Sequence, residues 1–164
     1  MKFVKGTEKL AFWSVVAQDA TTYKRLQGFD EFSKSMNPNE YSRKYVDEEF
    51  ERTDVTRYSP SFSFGFNPIV GNAVHDDLIK MSDNEVIGSD AVRSVVVVDL
   101  SQETETKGTY KAVKRDFSVI FDSEDNSDEL LKYTGNCKTA GEPVFGTATT
   151  TDGWMTAVFE ADSE

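Results

Sequence analysis

Residues 56–66 alternate so regularly that they admit one backbone geometry. Tyr58, Pro60, Phe62, Phe64 and Phe66 fall on one side; Arg57, Ser59, Ser61, Ser63 and Gly65 fall on the other. A period of two marks a strand with one face buried, because successive Cβ atoms of an extended chain point to opposite faces. Proline lacks the N–H that a ladder needs, so Pro60 puts this strand at an edge or a bulge. Residues 92–100 are apolar on both faces, which predicts a central or covered strand. A polar turn at 101–108 leads into a long strand at 109–121, with Val113, Phe117, Val119 and Phe121 facing inward. Leu131, Tyr133, Gly135 and Cys137 share the face of another. Residues 144–149 and 154–159 then pair across Asp152-Gly153, a favoured hairpin dipeptide. Residues 10–16 and 22–26 are less regular strand candidates.

Only residues 73–81 carry a helical period, with Val74, Leu78 and Met81 at i, i+4 and i+7. Asn72 can cap this helix, Asp76 and Asp77 lie in its first turns, and Lys80 lies in its last, as the helix dipole favours. Ser82-Asp83-Asn84 ends it. About eight strands and one helix predict a mostly β fold: a sandwich or barrel of antiparallel strands with the α-helix on one flank. The 164 residues suit a single domain over 1–164. A long polar loop at about 35–54 interrupts it, and such excursions in compact β domains are functional or disordered.

Composition narrows the classes further. Twelve Phe, six Tyr and two Trp speak against disorder despite a net charge of −11. Residues 116–164 hold eleven acidic residues against Lys132 and Lys138, whereas residues 1–44 hold eight basic and five acidic ones. An acidic chain repels phosphate backbones, so gripping nucleic acid is not expected. Cys137 is the only cysteine, which excludes an internal disulfide and a thiolate metal site. The first residues, Met1-Lys2-Phe3-Val4-Lys5-Gly6, lack a signal-peptide apolar region, and the run Val95-Val96-Val97-Val98 is too short to span a bilayer. A reducing cytosol is the expected compartment.

The residues of catalysis are sparse. His75 is the only histidine and reads as a solvated helix residue beside Asp76 and Asp77. No nucleophile elbow, phosphate-binding glycine loop or zinc-protease motif occurs. Residues 122–128 space oxygen donors like a calcium loop, but Ser127 stands where glycine is required and Tyr133 where the bidentate Glu belongs. Asp47, Glu49 and Glu51 would share one strand face, which calls for solvent or for a basic partner from another copy. Trp13 and Trp154 read as core.

Two stretches go beyond generic patterning. The first, residues 28–55, includes Asn37-Pro38-Asn39 and Tyr41-Ser42-Arg43-Lys44-Tyr45-Val46-Asp47-Glu48-Glu49-Phe50-Glu51. The second, residues 58–100, includes Asn72-Ala73-Val74-His75-Asp76-Asp77-Leu78 and Ile87-Gly88-Ser89-Asp90-Ala91-Val92. A charged Asn-Pro loop, an aromatic strand, one helix and a valine-rich strand follow in that order. Over about residues 28–159 this set resembles the tail tube (major tail) proteins of long-tailed, siphovirus-type phages of Gram-positive bacteria.

The resemblance implies copies that close into hexameric rings, and rings that stack into a tube through which DNA is ejected. It implies no catalytic residues, no cofactor and no metal. The early loop would help stack rings, with Asn37, Pro38, Tyr41, Arg43, Lys44, Asp47, Glu49 and Glu51 as the assembly residues. Partners would be the chain itself and the tape measure, tail terminator and distal tail proteins, with DNA passing unbound and no membrane anchor. The protein would be made in the host bacterial cytoplasm and end in the virion tail. The lopsided charge offers two different surfaces for a heterologous contact. Sheet edges near Pro60 and residues 95–98 would serve such assembly. The rival readings are a monomeric carbohydrate- or lipid-binding barrel, with Tyr58, Phe62 and Phe64 lining its cavity, and a tube subunit of a contractile tail or secretion system. An enzyme ranks third, for want of a relay.

Overall fold

Val95 to Val98 lie in the middle of a sheet rather than at its margin, because a paired strand covers each side. The expected edge at residues 95–98 is therefore absent. The computed structural model describes residues 1–17 and 20–163. Among these it has eleven strands: β1 (Lys9–Ala17), β2 (Ala20–Arg25), β3 (Phe29–Ser35), β4 (Pro38–Arg43), β5 (Arg52–Tyr58), β6 (Ser61–Phe66), β7 (Val92–Glu103), β8 (Tyr110–Asp125), β9 (Lys132–Thr139), β10 (Val144–Thr149) and β11 (Thr156–Ala161). One helix, α1 (Ala73–Asp83), and two 3-10 turns, Gly6–Glu8 and Gly88–Ala91, complete the elements.

Nine strands bond in the order β10-β11-β2-β1-β7-β8-β9-β6-β3, and β10 returns to pair with β8. That return closes β10, β11, β2, β1, β7 and β8 into an antiparallel six-stranded barrel. At 16 residues, β8 is long enough to serve two sheets. Its first half pairs with β10 and its second with β9, so β9, β6 and β3 leave the barrel wall as a wing. The fold is mostly β with one flanking helix, as the alternation predicts.

Period two explains the packing. Even-numbered residues of β1 and β7, Leu10, Phe12, Val96 and Val98, fill the barrel with Ala112, Ala148 and Ala157. Odd-numbered Trp13 and Val95 point outward beneath α1, where Val74, Leu78 and Met81 meet Phe62, Phe64 and Phe66 of the wing. Burying each such large apolar side chain contributes about 1.5–3 kcal/mol. Asn72 caps α1 through its side-chain oxygen, which accepts from the N–H groups of Val74 and His75. Asp77 ties α1 down: its carboxylate accepts from Arg93 Nε (2.9 Å) and Nη2 (3.0 Å) and from the Trp13 indole (3.0 Å).

Three further expectations change. The strand expected over residues 56–66 breaks at the buried Pro60 into β5 and β6, which belong to different sheets, and Tyr58 is left exposed. The hairpin of β10 and β11 forms, but its turn is wider than Asp152-Gly153. Asp152 accepts from the N–H groups of Met155 and Thr156, and bonds led by Thr156 hold its carboxyl down to about 2. β3 shows no alternation because a bulge between Phe29 and Glu31 turns both Phe29 and Phe32 inward, against Phe66 and Phe62.

His75 is fully buried, not solvated. Its Nδ1 accepts from the Ile69 N–H (2.9 Å), which leaves Nε2 to donate to the Gln27 carbonyl (2.7 Å). The imidazole is thus a neutral strut between the loop before α1 and the turn before β3, and burial lowers its pKa. Gly28 accommodates it, because a Cβ there would come within 2.9 Å of His75 Cε1, on a backbone already at φ +73.

Candidate assembly surface

The excursion at 35–54 is not a loop. Ser35 ends β3, Asn37 turns the chain at φ 46, and β4 and β5 run out and back as a separate two-stranded sheet. Asparagine tolerates that left-handed conformation. Its side-chain amide donates to the Ser59 carbonyl (3.0 Å) and to Ser61 Oγ (2.9 Å), closing the base of the arm. Asn37, Pro38 and Asn39 therefore form the root of the arm and not its tip.

The register pairs Pro38 with Tyr58, Tyr41 with Asp54, Ser42 with Thr53 and Arg43 with Arg52, with a bulge between Asn39 and Glu40. Every residue of β5 is exposed, and so is every residue of β4 except Arg43. Arg43 organises the distal half: it meets Asp54 at 3.2 Å and lies over the rings of Tyr41 (6.0 Å) and Tyr45 (5.7 Å). Its Nε is buried with no partner, and Arg52 lies directly across from it. Like charges in opposed positions weaken a strand pair.

Residues 44–51 form the tip. Lys44, Asp47, Glu49 and Glu51 lie there, so the three carboxylates do not share a strand face as their spacing suggests. Between them Tyr45, Val46 and Phe50 stand in solvent, Val46 wholly and Phe50 at 80%. Sequence reasoning weighed the charges of this segment and missed its apolar residues. Their signal was available, because three large apolar side chains within a run of carboxylates have no reason to be there on a purely solvated tip.

Two open grooves lie on the body. One, of about 500 Å³, runs between the end of α1 and β8, lined by Met81, Val86, Ile87, Val119 and Phe121 among others. The second, of about 360 Å³, lies at the far end of β7 and is lined by Lys2, Phe3, Val4, Leu100 and Tyr110 among others. Inside the barrel, Phe12 and Tyr110 each pack ring to ring on Trp154. Phe62 and Phe64 interlock with Phe117 and Phe121 instead of lining a void. The described residues contain no group of three or more His, Cys, Asp or Glu placed to hold a metal. Cys137 is buried, which pushes its thiol up to about 12.

No protein-family profile and no curated protein matches the sequence. Among solved structures, a chain in the cryo-EM structure of the anti-feeding prophage baseplate, 6-fold symmetrised, is similar with a TM-score of 0.47 and 8% identity. The similarity covers 88% of this chain and 95% of that one. A likeness this distant says nothing about what the chain does.

Proposed function

We propose that this chain is a self-assembling structural subunit of the tail tube kind. Its copies close into rings, hexameric by the resemblance, and the rings stack into a conduit for DNA. The observation that carries this reading is the arm formed by β4 and β5. An isolated two-stranded hairpin is at best marginally stable in water, and ordering each of its residues costs about 1–2 kcal/mol. This one carries Tyr41, Tyr45, Val46, Phe50 and Val55 into solvent with no cover from its own body. Contiguous exposed apolar groups of this kind mark interaction surfaces. A stacking contact with the next ring would bury them, and basic groups of that ring would meet Asp47, Glu49 and Glu51. The net charge of −11 suits a conduit that must release DNA, since few phosphates would be neutralised. Tape measure, terminator and distal tail proteins are the further partners that this role requires.

A binding barrel would need a cavity, and this interior is filled by side chains, as narrow barrels are. The test is size-exclusion chromatography and negative-stain microscopy of the wild type beside a variant in which residues 39–57 are replaced by a short glycine linker. Rings or tubes from the wild type, and folded unstacked species from the variant, are expected. A wild type that stays monomeric at high concentration would refute the proposal.

A further inference from the structure

The second half of β8 has one free side. β7 pairs with β8 only as far as Val92 opposite Ser118, whereas β9 continues opposite residues up to Asp125. From Val119 to Asp125, no strand among the described residues occupies the side that β7 vacates. The 3-10 turn Gly88–Ala91 touches β8 at the start of this stretch, and the 500 Å³ groove opens beside it, walled by Met81, Val86 and Ile87, with Val119 and Phe121 at its floor. Ile87 is 83% exposed there. The rim is acidic: Glu85 stands in the lining, and Asp122 and Glu124 follow along the strand.

The opposite end of the β7–β8 pair carries a segment of complementary character. Lys2-Phe3-Val4-Lys5 precedes the 3-10 turn Gly6–Glu8 without regular structure, with Phe3 79% and Val4 57% exposed. One ion pair, Lys2 to Glu8 at 3.6 Å, holds its charge, and a surface pair of that kind is worth little. We propose that this segment of one copy adds as a strand to the free edge of β8 in a second copy. Phe3 or Val4 enters the groove, and Lys2 and Lys5 meet Glu85, Asp122 and Glu124. Strand addition satisfies the open backbone groups of an edge, while pockets for alternate side chains give selectivity.

The occupant has to come from another copy. The Lys5 N–H bonds the Glu8 carboxylate at 2.8 Å and fixes the root of the segment beside β1. Phe3 stands two residues from it and so reaches roughly 7 Å when fully extended. The groove lies near Val92, about 26 Å along β7 from Leu100 at ~3.3 Å per residue. The two surfaces sit at opposite ends of one strand pair and differ in kind, so the contact is heterologous and propagates from copy to copy.

This inference rests on the self-assembly reading and adds a contact independent of the arm. Two variants that each add one cysteine, Phe3→Cys and Ile87→Cys, are mixed under mild oxidation; the native Cys137 is buried and takes no part. The contact gives a mixed disulfide dimer that neither variant gives alone. In parallel, Phe3→Asp should raise the concentration needed for assembly about tenfold or more, the factor expected for losing one buried large apolar side chain. If the wild type assembles, the mixture gives no mixed dimer and Phe3→Asp assembles like the wild type, this inference falls and self-assembly stands. If the wild type never assembles, both fall together.

Discussion

Replacing His75 by leucine tests whether the only histidine is a strut. The substitution keeps an apolar body among Phe29 and Phe66, whose rings lie 5.5 and 4.7 Å from the imidazole. It deletes two hydrogen bonds, from Ile69 N–H and to Gln27 O. Each intramolecular bond contributes about 0.5–1.5 kcal/mol net, so the variant should lose about 1–3 kcal/mol at pH 8. For a domain of this size that is a fall in Tm of about 3–10 °C. The pH dependence supplies an independent arm. The folded pKa of His75 lies below its ordinary 6.5, with desolvation the chief cause and Gln27 and Asp76 opposing it. Above about pH 6.5 both states are neutral and its full contribution is present; as pH falls further, the unfolded chain takes up a proton that the folded one resists. Stability then declines by at most ~1.4 kcal/mol per pH unit. Because the sequence has no other histidine, a decline starting between pH 6.5 and 5.5 has one source among the side chains. Thermal melts at half-unit steps from pH 8 to 5 measure both effects. A His75→Leu variant as stable as the wild type at pH 8, or one that keeps the wild-type decline below pH 6.5, would refute the reasoning.

Asp77→Ala should cost about 1–3 kcal/mol in urea denaturation, since it strips a half-buried Arg93 and the buried Trp13 indole of their shared acceptor. Thiol reagents should label Cys137 at the rate of unfolding and no faster, because a buried thiol near 12 offers almost no thiolate; rapid labelling of native protein would contradict its placement. Amides of the β4–β5 arm should exchange quickly in the monomer and slowly after assembly, and equal protection in both states would remove the arm from the contact. Millimolar calcium should leave Tm unchanged, because residues 122–128 lack the glycine and the bidentate Glu of a calcium loop.

What could be read from the sequence follows from burial. β6, β7, β8 and α1 each bury at least one face, and burial on one face imprints a period on the residues. β3 escaped because its bulge replaces a spacing of two with the three that separates Phe29 from Phe32. β4 and the first part of β5 escaped because neither face is covered, so no selection for apolar alternation acts on them. His75 was misjudged from its charged neighbours Asp76 and Asp77. Helical geometry turns the side chain at 75 toward Phe66 while it leaves Asp76 in solvent, and only the fold places Gln27 and Ile69 at its two nitrogens. The residues expected to serve assembly fall on one arm, and the fold supplies their order along it: Asn37 and Pro38 root it, Arg43 stiffens it, and the carboxylates ride at its end.

The barrel is closed by β10 and β11, which leave the ribosome after the other nine described strands. Until residues 144–161 emerge, β8 and β2 lack the neighbours that complete the wall, and the interior face of Phe12, Val96 and Val98 stays open to water. Non-local pairing of this kind delays folding and exposes strand edges during synthesis. The wing of β3, β6 and β9 with α1 is complete by Thr139, so a nascent chain can hold its helical side folded while its barrel waits. A chain truncated just before Val144 would therefore carry two unsatisfied edges, and would stick to others like itself.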